Sequence, residues 1–272
     1  MPKKVLKICS ITNLLKSSLD WNPVLENLKK EIEFEFSEID QLAIDDAKGI
    51  REAIEGFDII LVDTYLRERL NRVVAHRSVN SHFLNYFDFL ERKEGKLWGY
   101  SLFNEVFYRS MLGAIKNQDF KGPVIFLGCS PLLLPVIDVL GRFGFQDFVF
   151  LDIENDKEEV EKFLQMSKSL MGVHFSSVDS TAFIQSQKEY SLCFVVKNHY
   201  NQQILDDMSY FHFLSNRSIV FDLAGASNFL FKEVRALGVE LVPFGATFSI
   251  FVEIFSNKII NLGKEMQERG PL

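Results

Sequence analysis

Cysteine is scarce in this chain: three residues in 272, Cys9, Cys129 and Cys193, far apart and each set in an apolar run. So small, odd and scattered a set is neither a disulfide framework nor a zinc site, and reads as buried thiols of a reducing compartment. Positive charge is also short, with 30 Lys and Arg against 37 Asp and Glu and a formal net charge of −7. No basic block offsets it, which argues against a nucleic-acid partner. No apolar run reaches the length that spans a bilayer. The opening, MPKKVLKICSITNLL, has too short an apolar stretch for a secretory signal and no small-residue cleavage pattern. A cytoplasmic protein without a membrane partner is expected. Among five histidines, His76 and His82 are six apart and do not share a helix face as i, i+4 ligands would. His174, His199 and His212 are isolated, so no metal site is expected; His199 stands out only for its loop at a strand's carboxyl end.

What the chain has in quantity is apolar bulk. Hydrophobic residues make up 47% and charged residues 25%, the balance of a globular protein with a substantial core. Most of the 27 phenylalanines must be buried, though some could cover an oligomer interface, as in a homodimer. The length admits one large domain or two ordinary ones.

Residues 121–156, KGPVIFLGCSPLLLPVIDVLGRFGFQDFVFLDIEND, organise the rest. VIFL is a buried parallel strand stopped by Gly128, 132–140 is a helix, and FVFL is a second strand running into Asp152. Strand, glycine turn, helix, strand and terminal acid form the opening unit of a dinucleotide-binding fold. The turn lacks the later glycines of G-x-G-x-x-G: Ser130 and Pro131 stand there, and Pro131 brings no N–H for a phosphate. Pro135 predicts a late helix start or a kink.

Before this unit, strands are predicted at 5–11, 34–39 and 57–62, with helices at 23–32, 44–54 and 66–74. An aromatic core segment follows at 82–90 and a charged loop at 91–96. A helix over 103–115 links the halves. After the unit come a charged helix at 157–170, strands at 173–175, 191–196, 218–223 and 238–243, and helices at 229–237 and 247–263. The fold class is α/β with two α/β domains. An N-terminal substrate-type domain takes 1–102 with 249–272 returning to it. A Rossmann-like parallel-sheet domain takes 103–248, and a cleft separates the two. Ligands on such sheets bind at the carboxyl ends, which singles out Asp152, Asn198, Asp222 and Gly245 beside Gly128 and Ser130.

Three stretches in this order resemble the shikimate dehydrogenase family over most of the chain. GKLWGYSLF, residues 95–103, keeps the spacing of that family's G-x-L-x-G-x-N-T-D. The strand–turn–helix–strand unit is the second stretch. The third is IVFDLAGASNFLFKEVRALGVELVPFGATFSIF, residues 219–251, which is similar to the family's terminal pattern. The resemblance implies an NADP-linked oxidoreductase using a Lys and an Asp near the substrate hydroxyl. At those positions stand Arg67, with Tyr65 close by, and Phe103. Arginine keeps the charge but does not release a proton near neutrality, and phenylalanine can neither accept a hydrogen bond nor titrate. Ser17 and Ser18 match the substrate-carboxylate serines in part, while Ser101 replaces the family's Asn and Leu102 its Thr. The Gln expected early in the final helix falls near Val252. Where the family commonly holds the NADP phosphate with an arginine, this chain reads Leu-Asp-Ile-Glu-Asn-Asp, which favours NAD, weakly bound, over NADP.

The expectation is a shikimate-dehydrogenase-like protein with an altered site that binds a small molecule in the interdomain cleft and has lost ordinary shikimate oxidation. Two alternatives stand beside it. One is an NAD-linked oxidoreductase acting on a different hydroxy acid. The other is an S-adenosylmethionine-dependent methyltransferase, whose glycine turn and strand-two acid VIFLGC and FLDIEND also resemble.

Overall fold

The computed structural model describes residues 5–11, 22–39, 47–62, 70–115, 122–130, 132–152, 161, 163–165, 172–186, 188–196, 213–225 and 234–269. The chain is α/β and divides into two compact units, Met1–Glu105 with Phe251–Leu272, and Val106–Ile250. Each holds its own six-stranded sheet.

The first unit contains β1 (Leu6–Ile11), α1 (Asn22–Lys29), β2 (Phe34–Glu38), α2 (Ala47–Ala53), β3 (Ile59–Val62), β4 (His76–Arg77), α3 (Val79–Leu84), β5 (Phe89–Lys93) and β6 (Lys96–Tyr100). The sheet order is β2-β1-β3-β5-β6-β4. β1 runs parallel to β2 and β3, while β5 is antiparallel to both β3 and β6. β3, IILV, is buried at every residue, as a central strand covered on both faces must be. Its neighbours Cys9, Ile50, Phe87, Leu90 and Leu97 complete one core. Arg92 reaches from β5 to the far end of α2, donating from Nε to the Phe57 carbonyl at 2.9 Å and from Nη2 to the Ile54 carbonyl at 3.0 Å. A cation there satisfies carbonyls left over at a helix C-terminus.

The charged loop expected at 91–96 is corrected: Glu91–Lys93 and Lys96 are strand, and only Glu94 and Gly95 turn. Both have positive φ, 51° and 75°, the primed geometry that fits a tight hairpin to the twist of its strands.

The second unit contains most of α4 (Leu102–Ile115), then β7 (Val124–Leu127), α5 (Leu133–Arg142), β8 (Asp147–Asp152), β9 (His174–Asp179), α6 (Ser180–Gln185), β10 (Tyr190–Val195), β11 (Leu214–Asp222) and β12 (Glu240–Val242). It also takes the start of α7 (Phe244–Arg269). All its strand pairings are parallel, in the order β12-β11-β10-β7-β8-β9. Numbered within the sheet this reads 6-5-4-1-2-3, the doubly wound dinucleotide-binding order.

Phenylalanine fills this sheet's faces. The Phe126 ring lies 5.1 Å from Phe150 and 5.5 Å from Phe194, and Phe194 stacks on Phe221 at 4.7 Å. α5 starts late, at Leu133, so Pro135 falls in the first turn, where no intrahelical N–H is needed. The short strand expected at 173–175 extends to Asp179, whose carboxylate caps α6 by accepting from the Ala182 N–H at 2.8 Å. The last helix does not stop at Gly263 but runs to Arg269. Gly263 is internal to it because a Cβ there would lie 2.9 Å from Ile32 Cγ2. Among the described residues no helix is long and apolar enough to cross a membrane.

Candidate functional site

Three strands of the second unit end in register, with Val195 facing Leu127 on one side and Asp222 on the other. Leu127 and Val195 therefore end side by side where the strand order reverses, the place where such sheets take ligands. Gly128 follows the first of them at φ 97°, a conformation open to glycine and strained for other residues. Ser130 follows, 6% exposed, and is committed to the helix start. Its Oγ accepts the Leu132 N–H at 3.3 Å and its carbonyl accepts the Leu133 N–H at 2.9 Å. With Pro135 in the same turn, three positions that could offer an N–H to a phosphate do not have one free.

Asp152 ends β8, opposite Asp179 of β9. Asp222 is 0% exposed and its Oδ1 accepts from the Ala224 N–H at 3.0 Å, which shapes the turn after β11. Gly245 lies exposed in the first turn of α7, and its carbonyl accepts from the Ser249 hydroxyl at 2.8 Å. Gly128, Ser130 and Asp222 thus share one sheet edge. Asn198 and His199 lie outside the described residues.

In the first unit Ser101 and Phe103 sit together at the start of α4. The Ser101 Oγ accepts the Asn104 N–H at 3.3 Å. The Phe103 ring is stacked on Phe251 of α7 at 5.2 Å. Ser17, Ser18, Tyr65 and Arg67 lie outside the described residues.

A residue absent from the expected set dominates this place. Asp88, 3% exposed, accepts the Leu102 N–H at 2.7 Å on Oδ1, and the Phe103 N–H at 3.0 Å on Oδ2. Oδ2 is also 3.5 Å from the Ser101 hydroxyl. Burial pushes its carboxyl up to about 7, against the lowering effect of those hydrogen bonds. An acid inside the aromatic run NYFDFL was a signal for it, hidden because the run reads first as core.

On the β5–β6 hairpin the buried Glu91 lies 3.0 Å from Lys93 Nζ and 4.0 Å from Lys258 Nζ of α7. Lys258 also sits 4.4 Å over the Tyr100 ring, and burial lowers its pKa. Among the described residues no group of His, Cys, Asp and Glu is placed to hold a metal ion.

No protein-family profile and no curated protein matches the chain. Solved structures do. A shikimate 5-dehydrogenase from Thermus thermophilus, in complex with NADP(H) and shikimate, superposes with a TM-score of 0.70 at 14% identity over 97% of this chain and 98% of its own. A quinate dehydrogenase from Corynebacterium glutamicum, in complex with NAD, gives 0.72 at 15% identity over 97% of each. The chain has the shikimate dehydrogenase fold. A ligand-free 5-ketofructose reductase from a Gluconobacter strain gives 0.67 at 11% identity, covering 98% of this chain and 99% of its own. At such identities the likeness is of fold alone, and it lends no support to the methyltransferase alternative.

Proposed function

We propose that this chain is a shikimate-dehydrogenase-like protein with a rewritten substrate site. It binds a small molecule and, weakly, NAD, and its ordinary shikimate oxidation is lost or slowed by orders of magnitude. Neighbours of this fold were solved with NADP(H) and shikimate or with NAD, which makes a nicotinamide dinucleotide the cofactor to test. When bound, the nicotinamide supplies hydride transfer to or from a carbon centre. Gly128 suits the turn beneath a pyrophosphate. An acid at the end of the second strand, Asp152, accepts bonds from ribose hydroxyls and disfavours a 2′-phosphate, so NAD is preferred to NADP. The first turn of α5 suits the pyrophosphate less well, because the Leu132 and Leu133 amides serve Ser130 and Pro135 has none.

The observation that carries the reading is Phe103. By its spacing from Gly95 and Gly99 it falls where the carboxylate is expected, and its amide is held by Asp88 and its ring by Phe251. Arg67 can polarise a substrate oxygen but holds its proton, and Tyr65, Ser17, Ser18 and Ser101 remain as hydrogen-bonding groups for a ligand. Losing one acid–base partner costs a factor of about 10² to 10⁴ in rate. The test is NAD(P)H formation from shikimate at neutral and alkaline pH, with folding checked in parallel. Turnover of about 1 s⁻¹ or more would overturn the reading.

A second reading, an NAD-linked oxidoreductase acting on another hydroxy acid, is favoured by the retained doubly wound strand order and by Asp152. Hydride transfer from any member of a hydroxy-acid panel, with shikimate inert, would select it.

A further inference from the structure

Asp88 joins the ends of three elements. Its carbonyl accepts the Val62 N–H at the end of β3, at 2.9 Å, and its own N–H donates to the Tyr100 carbonyl at the end of β6, at 3.0 Å. Its carboxylate holds the first two amides of α4, Leu102 on Oδ1 and Phe103 on Oδ2. Ser101 and Phe103 stand in the segment where β6 passes into α4. We propose that Asp88 is a positioning residue whose protonation state sets the placement of Ser101 and Phe103. The proposal rests on the reading of that segment as part of the ligand site.

An ionised carboxylate is acceptor-only and serves the Leu102 and Phe103 amides and the Ser101 hydroxyl together. Taking a proton from solvent turns one oxygen into a donor. The Ser101 oxygen, 3.5 Å from Oδ2, is the acceptor available to it. The Phe103 amide then faces a neutral hydroxyl in place of a charged oxygen and is held less tightly. Phe103 and Ser101 shift while the Leu102 amide keeps its acceptor. Burial places this exchange in the neutral range, with the carboxyl near 7. Among the described residues, β3 presents only Ile59–Val62, β5 carries Glu91, Arg92 and Lys93, β6 carries Lys96 and Tyr100, and α4 carries Glu105, Tyr108 and Arg109. None of these charged side chains contributes to the Asp88 shift, which comes from burial and from uncharged hydrogen-bond donors.

The experiment uses the whole chain without ligand, so its outcome is independent of whether NAD or any substrate binds. Leucine and phenylalanine are labelled with ¹⁵N and aspartate with ¹³C, and amide and carboxyl resonances are followed between about pH 5 and about pH 9. The expected result is a common midpoint near 7 for the Asp88 carboxyl carbon and the Leu102 and Phe103 amides, with the larger movement at Phe103. Both amide titrations should vanish in Asp88→Asn. Amide resonances flat through this range, or an unchanged titration in Asp88→Asn, would overturn the proposal. Should Asp88→Asn fail to fold, the wild-type carboxyl resonance decides alone: a midpoint in the ordinary carboxylate range overturns the proposal, and one near 7 shared with Phe103 supports it.

Discussion

Replacing Gly263 by alanine sets two known effects against each other inside one helix contact. Glycine in a helix interior is about 1 kcal/mol less favourable than alanine, so on propensity alone Gly263→Ala should stabilise α7. The structure opposes it. An added Cβ meets Ile32 Cγ2 at 2.9 Å, Cδ1 at 3.2 Å and Cβ at 3.4 Å, and Ile32 is itself buried in the first unit. Overpacking of this kind costs about 1–3 kcal/mol, so the net change is a loss of up to about 2 kcal/mol. In an Ile32→Ala background the two closest atoms are gone and only the ordinary 3.4 Å contact remains. There Gly263→Ala should stabilise by up to about 1 kcal/mol, although Ile32→Ala alone costs about 2–5 kcal/mol. Urea unfolding of the four proteins, followed by circular dichroism, closes the cycle. A Gly263→Ala change that helps the wild type as much as it helps the Ile32→Ala protein would refute the contact, and with it the return of α7 onto the first unit.

Glu94 holds a positive φ of 51° in the hairpin turn, so Glu94→Asn should raise stability by up to about 1 kcal/mol, or about 2–4 °C in Tm. A fall in Tm would contradict the primed turn. Cys9, Cys129 and Cys193 are buried, and desolvation pushes the Cys9 thiol up to about 12 and raises Cys193 as well. An aromatic disulfide reagent should therefore release no chromophore from the native protein and react with all three thiols only on unfolding. Burial pushes the Asp88 carboxyl of the folded chain up to about 7 from its ordinary 3.8. Its contribution to stability is thus fully present below 3.8 and is lost as pH rises through about 7, by at most about 1.4 kcal/mol per pH unit. Wild type should lose stability relative to Asp88→Asn across that window, and parallel stability–pH curves would disprove the assignment.

The doubly wound unit was legible because a buried parallel strand is a contiguous apolar run. VIFL, YSLCFV and the end of β11 announce themselves, and Gly128 marks the turn. β9 was legible only at its start. HFSSVD is an edge strand with little to bury, so its place comes from pairing with β8 and from no pattern of its own. The hairpin turn was masked by chemistry, since Glu-Gly takes the conformation that Asn-Gly usually signals. Gly263 looked like a helix stop, because nothing local shows that Ile32, far away in sequence, fills the space beside it. At the site, spacing drew attention to Phe103 as a missing acid. Asp88 is fifteen residues earlier and meets Phe103 only through the folded sheet, as a partner for its backbone and not for its side chain.

On the proposed reading the fold persists while the grip on a dinucleotide is weak, because the Leu132 and Leu133 amides serve Ser130 and Pro135 has none. Calorimetric titration of the purified chain with NAD and with NADP tests this most directly. Binding weaker than micromolar for both, with NAD the tighter of the two, is the predicted result; micromolar affinity for NADP would contradict it.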